Sequence, residues 1–254
     1  MSLEGRVAII TGGGTGIGFG IAQVLSEKGV KVVLAQRRLR ASEDAIARLK
    51  GVEALPLGVD IRDRESVNRM VDATVERFGR VDILVNNASV TGMTAIAPLL
   101  ECPQEKVNEI VDANLKGTFY CSQFVARQMV KAGRGGNIIH VSSVGAYAAQ
   151  EFASLYCATK AAQMALAQGM ALELAPYGIR VNCVAPGDIF TETSATITED
   201  KKGVGASGRY VRQTPLGHRG SPADIGHAVA YLVSDEAGFV TGTTLLVDGG
   251  FLAF

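Results

Sequence analysis

The 254 residues carry 25 lysines and arginines against 25 aspartates and glutamates, so the chain lacks the basic excess that nucleic-acid backbones demand. With 47% hydrophobic residues it can bury a full core, yet no apolar run reaches the ~18 residues needed to cross a bilayer. The opening MSLEGRVAII lacks a basic segment leading into an apolar one, and Cys102, Cys121, Cys157 and Cys183 are scattered without a CxxC pair. The expectation is a cytoplasmic protein with reduced thiols, without a disulfide frame or zinc site, and with neither nucleic acid nor membrane as partner.

Taken in order, short β-branched runs alternate with longer helical stretches: RVAII, KVVLAQ, EALPLGV, VDILVNN, GNIIHVSS, IRVNCVAP and TTLLVDGG. Runs apolar on both faces and separated by helices predict a parallel sheet covered on both sides, and seven of them predict a doubly wound α/β architecture. No repeat, low-complexity tract or Pro/Gly/Ser linker divides the chain, so residues 1–254 are expected to form one domain.

The first run leads into Thr11-Gly12-Gly13-Gly14-Thr15-Gly16-Ile17-Gly18 and then a helical stretch. A GxGxxG spacing fails here and TGxxxGxG fits. Glycines permit a tight turn and close approach by a diphosphate, while the helix that follows offers free N–H groups and a positive dipole end. Gly12, Thr15, Gly16, Ile17 and Gly18 are therefore the expected phosphate cradle of a dinucleotide, against the alternative of a merely flexible loop.

The second run ends in Ala35-Gln36-Arg37-Arg38, where a dinucleotide site reads the ribose. No carboxylate stands there to repel a 2′-phosphate, and an arginine can meet one with two charge-assisted bonds. Arg37 is thus expected to favour NADP(H), with NAD(H) the alternative, while Arg38 suits a solvated position opening the next helix. At the third run's end, Asp60 and Ile61 can reach an adenine edge. Asp60 could equally cap the next helix, although Asp63 fits that role better. At the fourth, Asn87 and Ala88 allow close approach of the cofactor, and one asparagine of the Asn86-Asn87 pair could hold neighbouring strand ends together. Asn114 lies in a long helical stretch, where its amide needs a partner whether its role is catalytic or helix-bending.

Tyr156 and Lys160 stand four residues apart in the helical SLYCATKAAQMALAQGMALELA and so share one face. An ammonium beneath a phenol favours the phenolate, lowers its pKa and makes the tyrosine usable as a proton donor or acceptor. Cys157 reads as a bystander, and His140, in an apolar strand, as a satisfied core histidine. From Asp188 to Gln213 the chain turns polar and glycine-containing, which predicts a substrate-binding loop or lid over 188–213. Gln150 and Asp188 are candidate substrate contacts by position, with Val90, Thr91, Val144, Gly145, Gly187 and Phe190 as further pocket-facing positions.

Together TGGGTGIG, VDILVNNAS, Asn114 in NLKGTF, VSSVG with Ser143, YCATK, RVNCVAPG and the terminal LLVDGG resemble the short-chain dehydrogenase/reductase family in its compact form, over nearly the whole chain. The resemblance implies a Rossmann-like sheet of strand order 3-2-1-4-5-6-7 and a small-molecule substrate. It implies an oxidoreductase interconverting a secondary alcohol and a ketone with NADP(H) or NAD(H). Enoyl-thioester reduction on the same scaffold and a non-catalytic dinucleotide-binding module are the alternatives. By the resemblance, Tyr156 is the general acid/base, Ser143 holds the reacting oxygen, and Lys160 tunes Tyr156 and binds the nicotinamide ribose. Asn114 would hold a water that relays protons from Lys160. Pro186, Gly187, Ile189 and Thr191 match nicotinamide-side contacts, and family members are commonly homotetramers. The chain departs from the pattern at Ser89, Gln36 and Gln150-Glu151, where Gly, Asp and Pro-Gly are usual.

Overall fold

Seven apolar runs become seven parallel strands in the computed structural model, which describes residues 3–49, 51–192, 194 and 214–253. They are β1 (Val7–Thr11), β2 (Lys31–Gln36), β3 (Ala54–Gly58), β4 (Ile83–Asn86), β5 (Gly136–Val141), β6 (Ile179–Pro186) and β7 (Thr244–Val247). The sheet order is β3-β2-β1-β4-β5-β6-β7, as expected, so the chain reverses direction of travel between β1 and β4. Strand β3 lies at an edge and carries Pro56, which has no N–H to give a further neighbour.

The two-residue period of the strands divides the apolar side chains between two cores. Ala8, Ile10, Val32, Leu34, Ile83, Val85, Ile139, Val141 and Val184 face α1 (Gly16–Glu27) and α7 (Pro222–Val233). Ile9, Val33, Leu84, Ile138, Val181 and Cys183 face the other way. There they meet α3 (Arg64–Phe78), α5 (Thr118–Ala132) and α6 (Ser154–Leu174). Each such aliphatic side chain taken out of water contributes ~1.5–3 kcal/mol before entropy is counted. The short α2 (Leu39–Ile46) flanks β2 and β3.

Local signals start and stop the helices where the sequence places them. Asp63, not Asp60, caps α3 by accepting from the Glu65 N–H at 3.0 Å, and Gly79 ends it at φ 76°. Ser221 and Asp224 form a capping box at the head of α7. The stretch containing Asn114 is helical but not uniform. Helix α4 (Gln104–Val111) passes through a π-helical segment, Asp112–Gly117, before continuing as α5. Of the predicted loop over 188–213, residue 193 and residues 195–213 lie outside the described residues.

Two polar groups, Asn86 on β4 and His140 on β5, interrupt the α3/α5/α6 face side by side. The His140 ring contacts the Gln163 carbonyl through Nδ1 at 3.1 Å and the Ser122 hydroxyl through Nε2 at 3.3 Å. A carbonyl only accepts, so Nδ1 carries the hydrogen and the imidazole is the satisfied core histidine the sequence predicts. Burial pushes its pKa down from 6.5 to about 4. The unfolded chain therefore binds a proton at this site at a pH where the folded chain does not. The stabilisation is fully present above pH 6.5 and lost as pH falls to about 4, a difference on the order of 3 kcal/mol. Thermal unfolding measured across this window should show His140→Asn less acid-sensitive than the unsubstituted chain.

Candidate active site

The glycine turn after β1 is shaped by close contacts that exclude side chains. Gly12 sits at φ 66°, and a Cβ on Gly18 would lie 2.2 Å from the Gly12 carbonyl oxygen. Helix α1 then starts at Gly16 with Thr15 as its N-cap residue, no side-chain cap bond and no carboxylate in its first turn. Its positive end is thereby left open to an anion. Ile17 packs half-buried against the core and Thr191 stands across from Gly16.

Strand ends on either side complete this edge. Asn87 donates through Nδ2 to the carbonyls of Thr11 at 3.0 Å and Gly12 at 3.2 Å, and so ties β4 to β1 as predicted. Gln36 accepts from the Gly14 N–H at 2.8 Å, beside the exposed Arg37. The Asp60 carboxylate is engaged by Arg62, which holds its pKa below the usual range, and Ile61 packs against Gly117. Asp60 therefore offers a neutralised edge, not a lone carboxylate.

Four residues singled out in the sequence converge near the C-terminal ends of β4 and β5. Tyr156 and Lys160 on α6 are 8% and 2% exposed, with the ammonium 5.7 Å from the phenol ring centre. Ser143, just beyond β5, accepts from the Gly145 N–H at 3.0 Å and hydrogen-bonds toward Tyr156. Ser142 faces away and donates to the Lys160 carbonyl at 2.8 Å. On the other side of the phenol, the Thr91 hydroxyl makes a long 3.5 Å contact with the Tyr156 oxygen. Asn114 lies behind this group: its Oδ1 accepts from Val90 N–H at 2.7 Å, and its Nδ2 donates to Val90 O and to Thr159 Oγ1.

The electrostatics differ from the spacing argument. Burial raises the Tyr156 pKa above its ordinary 10, opposed in part by the hydrogen bonds of Thr91 and Ser143. The ammonium is turned instead to the Val141 carbonyl, 2.8 Å away, and to Gln163 Oε1 at 3.3 Å. Burial lowers Lys160 itself to about 8. Proximity on one helix face is real, but orientation gives the charge to other acceptors.

Known proteins are similar to this chain over nearly its whole length. Residues 12–252 match the family model described as enoyl-(acyl carrier protein) reductase. The L-rhamnose 1-dehydrogenase (NAD(P)+) of Azotobacter vinelandii is 38% identical, over 98% of each chain. The 3-oxoacyl-[acyl-carrier-protein] reductase of Haemophilus influenzae is 36% identical, again over 98% of each. A solved 7α-hydroxysteroid dehydrogenase, complexed with NADH and 7-oxo glycochenodeoxycholic acid, superposes with a TM-score of 0.89 at 33% identity, covering 98% of this chain and 95% of its own. The chain belongs to the short-chain dehydrogenase/reductase family of oxidoreductases.

As a short-chain dehydrogenase/reductase it places Pro186, Gly187, Ile189 and Thr191 along the end of β6 and the segment after it. Gly187 donates to Val247 O at 3.0 Å, Ile189 is buried, and Thr191 is fixed by Ser194. The candidate substrate contact Asp188 accepts from the Arg219 guanidinium at 2.7 and 3.0 Å, so its carboxylate is already ion-paired. Gln150 is exposed and stands beside Gly145 and Cys157. Three partners were not singled out in the sequence. Arg219 and Gln163 are two of them. The third is Thr11, whose hydroxyl accepts from the N–H groups of Asn87 at 3.0 Å and Ala88 at 3.1 Å and donates to Val85 O. Only the polar residue at the end of an apolar strand hinted at Thr11. Thr11→Val keeps the shape but strands two donors, and should cost about 1–3 kcal/mol in denaturant unfolding.

Proposed function

We propose that this short-chain dehydrogenase/reductase interconverts a secondary alcohol and a ketone with a nicotinamide dinucleotide, using Tyr156 as general acid/base. The observation that carries this reading is the buried Tyr156 phenol, flanked by Ser143 and Thr91 and backed by Lys160, at the strand ends that carry the glycine turn. When bound, the dinucleotide supplies the two-electron carrier. The residues fit it: the cradle that a Cβ on Gly18 would fill and the uncapped end of α1 suit a diphosphate held by Gly12, Thr15, Gly16, Ile17 and Gly18. Asp60 and Ile61, after β3, lie on the adenine side of the glycine turn, whereas Asn87 and Ala88 follow β4 on the side of Tyr156 and Lys160, and Pro186, Gly187, Ile189 and Thr191 are at and after the end of β6. Gln36 is uncharged and Arg37 exposed, which supports NADP(H) over NAD(H).

Ser143 Oγ and the Tyr156 hydroxyl form a pair of groups that can hold one substrate oxygen. Tyr156 gives that oxygen its proton as a ketone is reduced, or takes it as an alcohol is oxidised, and Ser143 stabilises the charge in between. Burial holds the phenol protonated at neutral pH, the form that donates to a ketone oxygen. Oxidation requires the phenolate, so its rate should rise as pH climbs toward the phenol's range while the reduction rate falls. The intact Ser143, Tyr156 and Lys160 set supports carbonyl chemistry over the enoyl reduction named by the family model.

Subunit assembly is part of the same proposal. Phe119 on α5, Leu172 on α6, Tyr231 on α7 and Leu246 on β7 are exposed apolar groups that homotetramer contacts would cover. Sedimentation at micromolar concentration should give four times the chain mass.

Turnover should be screened with NADP(H) and NAD(H) against a panel of alcohols, sugars, a 3-ketoacyl thioester and an enoyl thioester. Tyr156→Phe should abolish turnover with cofactor affinity nearly intact, and Lys160→Ala should damage both. Retention of most activity by Tyr156→Phe, or turnover of the enoyl thioester alone, overturns the reading. Arg37→Ala should weaken NADP(H) binding about tenfold, the loss of one charge-assisted contact, and leave NAD(H) binding unchanged. Tighter binding of NAD(H) by the unsubstituted chain removes the case for NADP(H).

A further inference from the structure

We propose that Gln163 is a positioning residue of this site: its side-chain oxygen holds the Lys160 ammonium, and its amide nitrogen closes onto the Asn114 carbonyl and the Thr118 hydroxyl. This rests on the reading of Lys160 as the residue behind Tyr156.

The hydrogen-bond capacities of the buried groups carry the inference. Gln163 is 1% exposed and lies three residues after Lys160, on the same face of α6. Its Oε1 accepts from Lys160 Nζ at 3.3 Å. Both Nε2 hydrogens are used, one on Asn114 O at 2.8 Å and one on Thr118 Oγ1 at 3.1 Å. Its own backbone carbonyl is met by His140 Nδ1 and by the Cys183 thiol. The residue is therefore fixed at both ends and has no other conformation that satisfies its partners.

Asn114 O also accepts from the Thr118 hydroxyl at 2.8 Å. A carbonyl oxygen has two lone pairs, and two protein donors occupy them. The carbonyl of Asn114, the residue that resemblance reads as holding a water beyond Lys160, is thus tied to the Thr118 hydroxyl and to the carboxamide that links it to the lysine. A carboxamide neither takes nor gives a proton near neutral pH, so this contact fixes the lysine and does not conduct from it.

The titratable groups facing Lys160 are Tyr156 on its own helix, His140 on β5 and Cys183 on β6. Burial holds all three neutral, and no carboxylate among the described residues is paired with Lys160. Val141 O and Gln163 Oε1 are the acceptors that keep the ammonium in the site.

The decisive measurement is the titration of the Lys160 ammonium by NMR of the full chain labelled at lysine Cε, with the resonance assigned by its loss in Lys160→Arg. Gln163→Met removes the acceptor at nearly equal volume and should lower the midpoint by about one pH unit, the worth of one hydrogen bond to a charged group. Gln163→Glu replaces the acceptor with a charge and should raise it by a similar amount. The alkaline limb of the pH–rate profile should move with each. A midpoint unchanged in both variants, or moved the same way in both, overturns the proposal, because general disruption of the core has no reason to reverse sign. If Gln163→Met does not fold, the upward shift in Gln163→Glu decides alone. The catalytic reading fails separately: if Tyr156→Phe keeps its turnover while the midpoints move as expected, Gln163 positions the lysine but the tyrosine is not the acid/base.

Discussion

A buried ammonium that pairs with no carboxylate among the described residues is the constraint this site is built around. Lys160 is 2% exposed, and leaving its charge unsolvated would cost several kcal/mol. The fold answers with acceptors in place of counter-charge: the Val141 carbonyl at the end of β5 and the Gln163 side chain one turn along α6. That solution draws in its neighbours. Gln163 needs acceptors for its amide hydrogens, which the π-helical segment supplies through Asn114 O, with Thr118 Oγ1 beside it. Asn114 in turn fixes the Val90 backbone beyond β4, and with it the segment that brings Thr91 to the phenol. One charge thus organises three elements that are far apart in the chain.

The strands and the glycine turn were legible in the sequence because each is encoded locally or by a repeated period, whereas the strand order came only with the family resemblance. Runs apolar on both faces call for a sheet covered by helices on both sides, Asp63 announces a helix start, and the spacing of Tyr156 and Lys160 announces a shared face. What stayed hidden depends on which distant residue faces which. Thr11 looks like the last residue of a strand until Asn87 and Ala88 are set beside it. Gln163 looks like a chance polar residue in an apolar helix until Asn114 and Thr118 arrive from another one. The Asp188 carboxylate, a candidate substrate contact, looks unaccompanied until Arg219 is set beside it. The tyrosine's electrostatics were misjudged for the same reason: helical spacing gives a distance, whereas the pKa depends on where the ammonium points and how much water the phenol has lost.

Relatives named for a rhamnose dehydrogenase and an acyl-carrier-protein reductase are 36–38% identical to this chain, and a 7α-hydroxysteroid dehydrogenase shares its fold at 33% identity. The elements that hold Tyr156, Ser143 and Lys160 are strand ends and the buried face of α6, deep in a core that tolerates little change. Thr91, Gln150 and Phe190 are exposed and sit on connecting segments. On the proposed reading, the residues assigned to chemistry and those assigned to substrate contact belong to different parts of the molecule, one rigid and one free to vary.

The π-helical segment at Asp112–Gly117 has a bearing on how this chain can change over evolutionary time. Such a segment amounts to one extra residue wound into an otherwise α-helical rod. Because the wider winding absorbs that residue, deleting one here would return the segment to ordinary α-helix with α5 still facing the sheet. Cys121, Val125 and Met129 would stay packed, and the loss would fall on the contacts that Asn114 makes to Val90 and Gln163. The codon this helix could shed without unpacking its core is thus one that the site beside it needs.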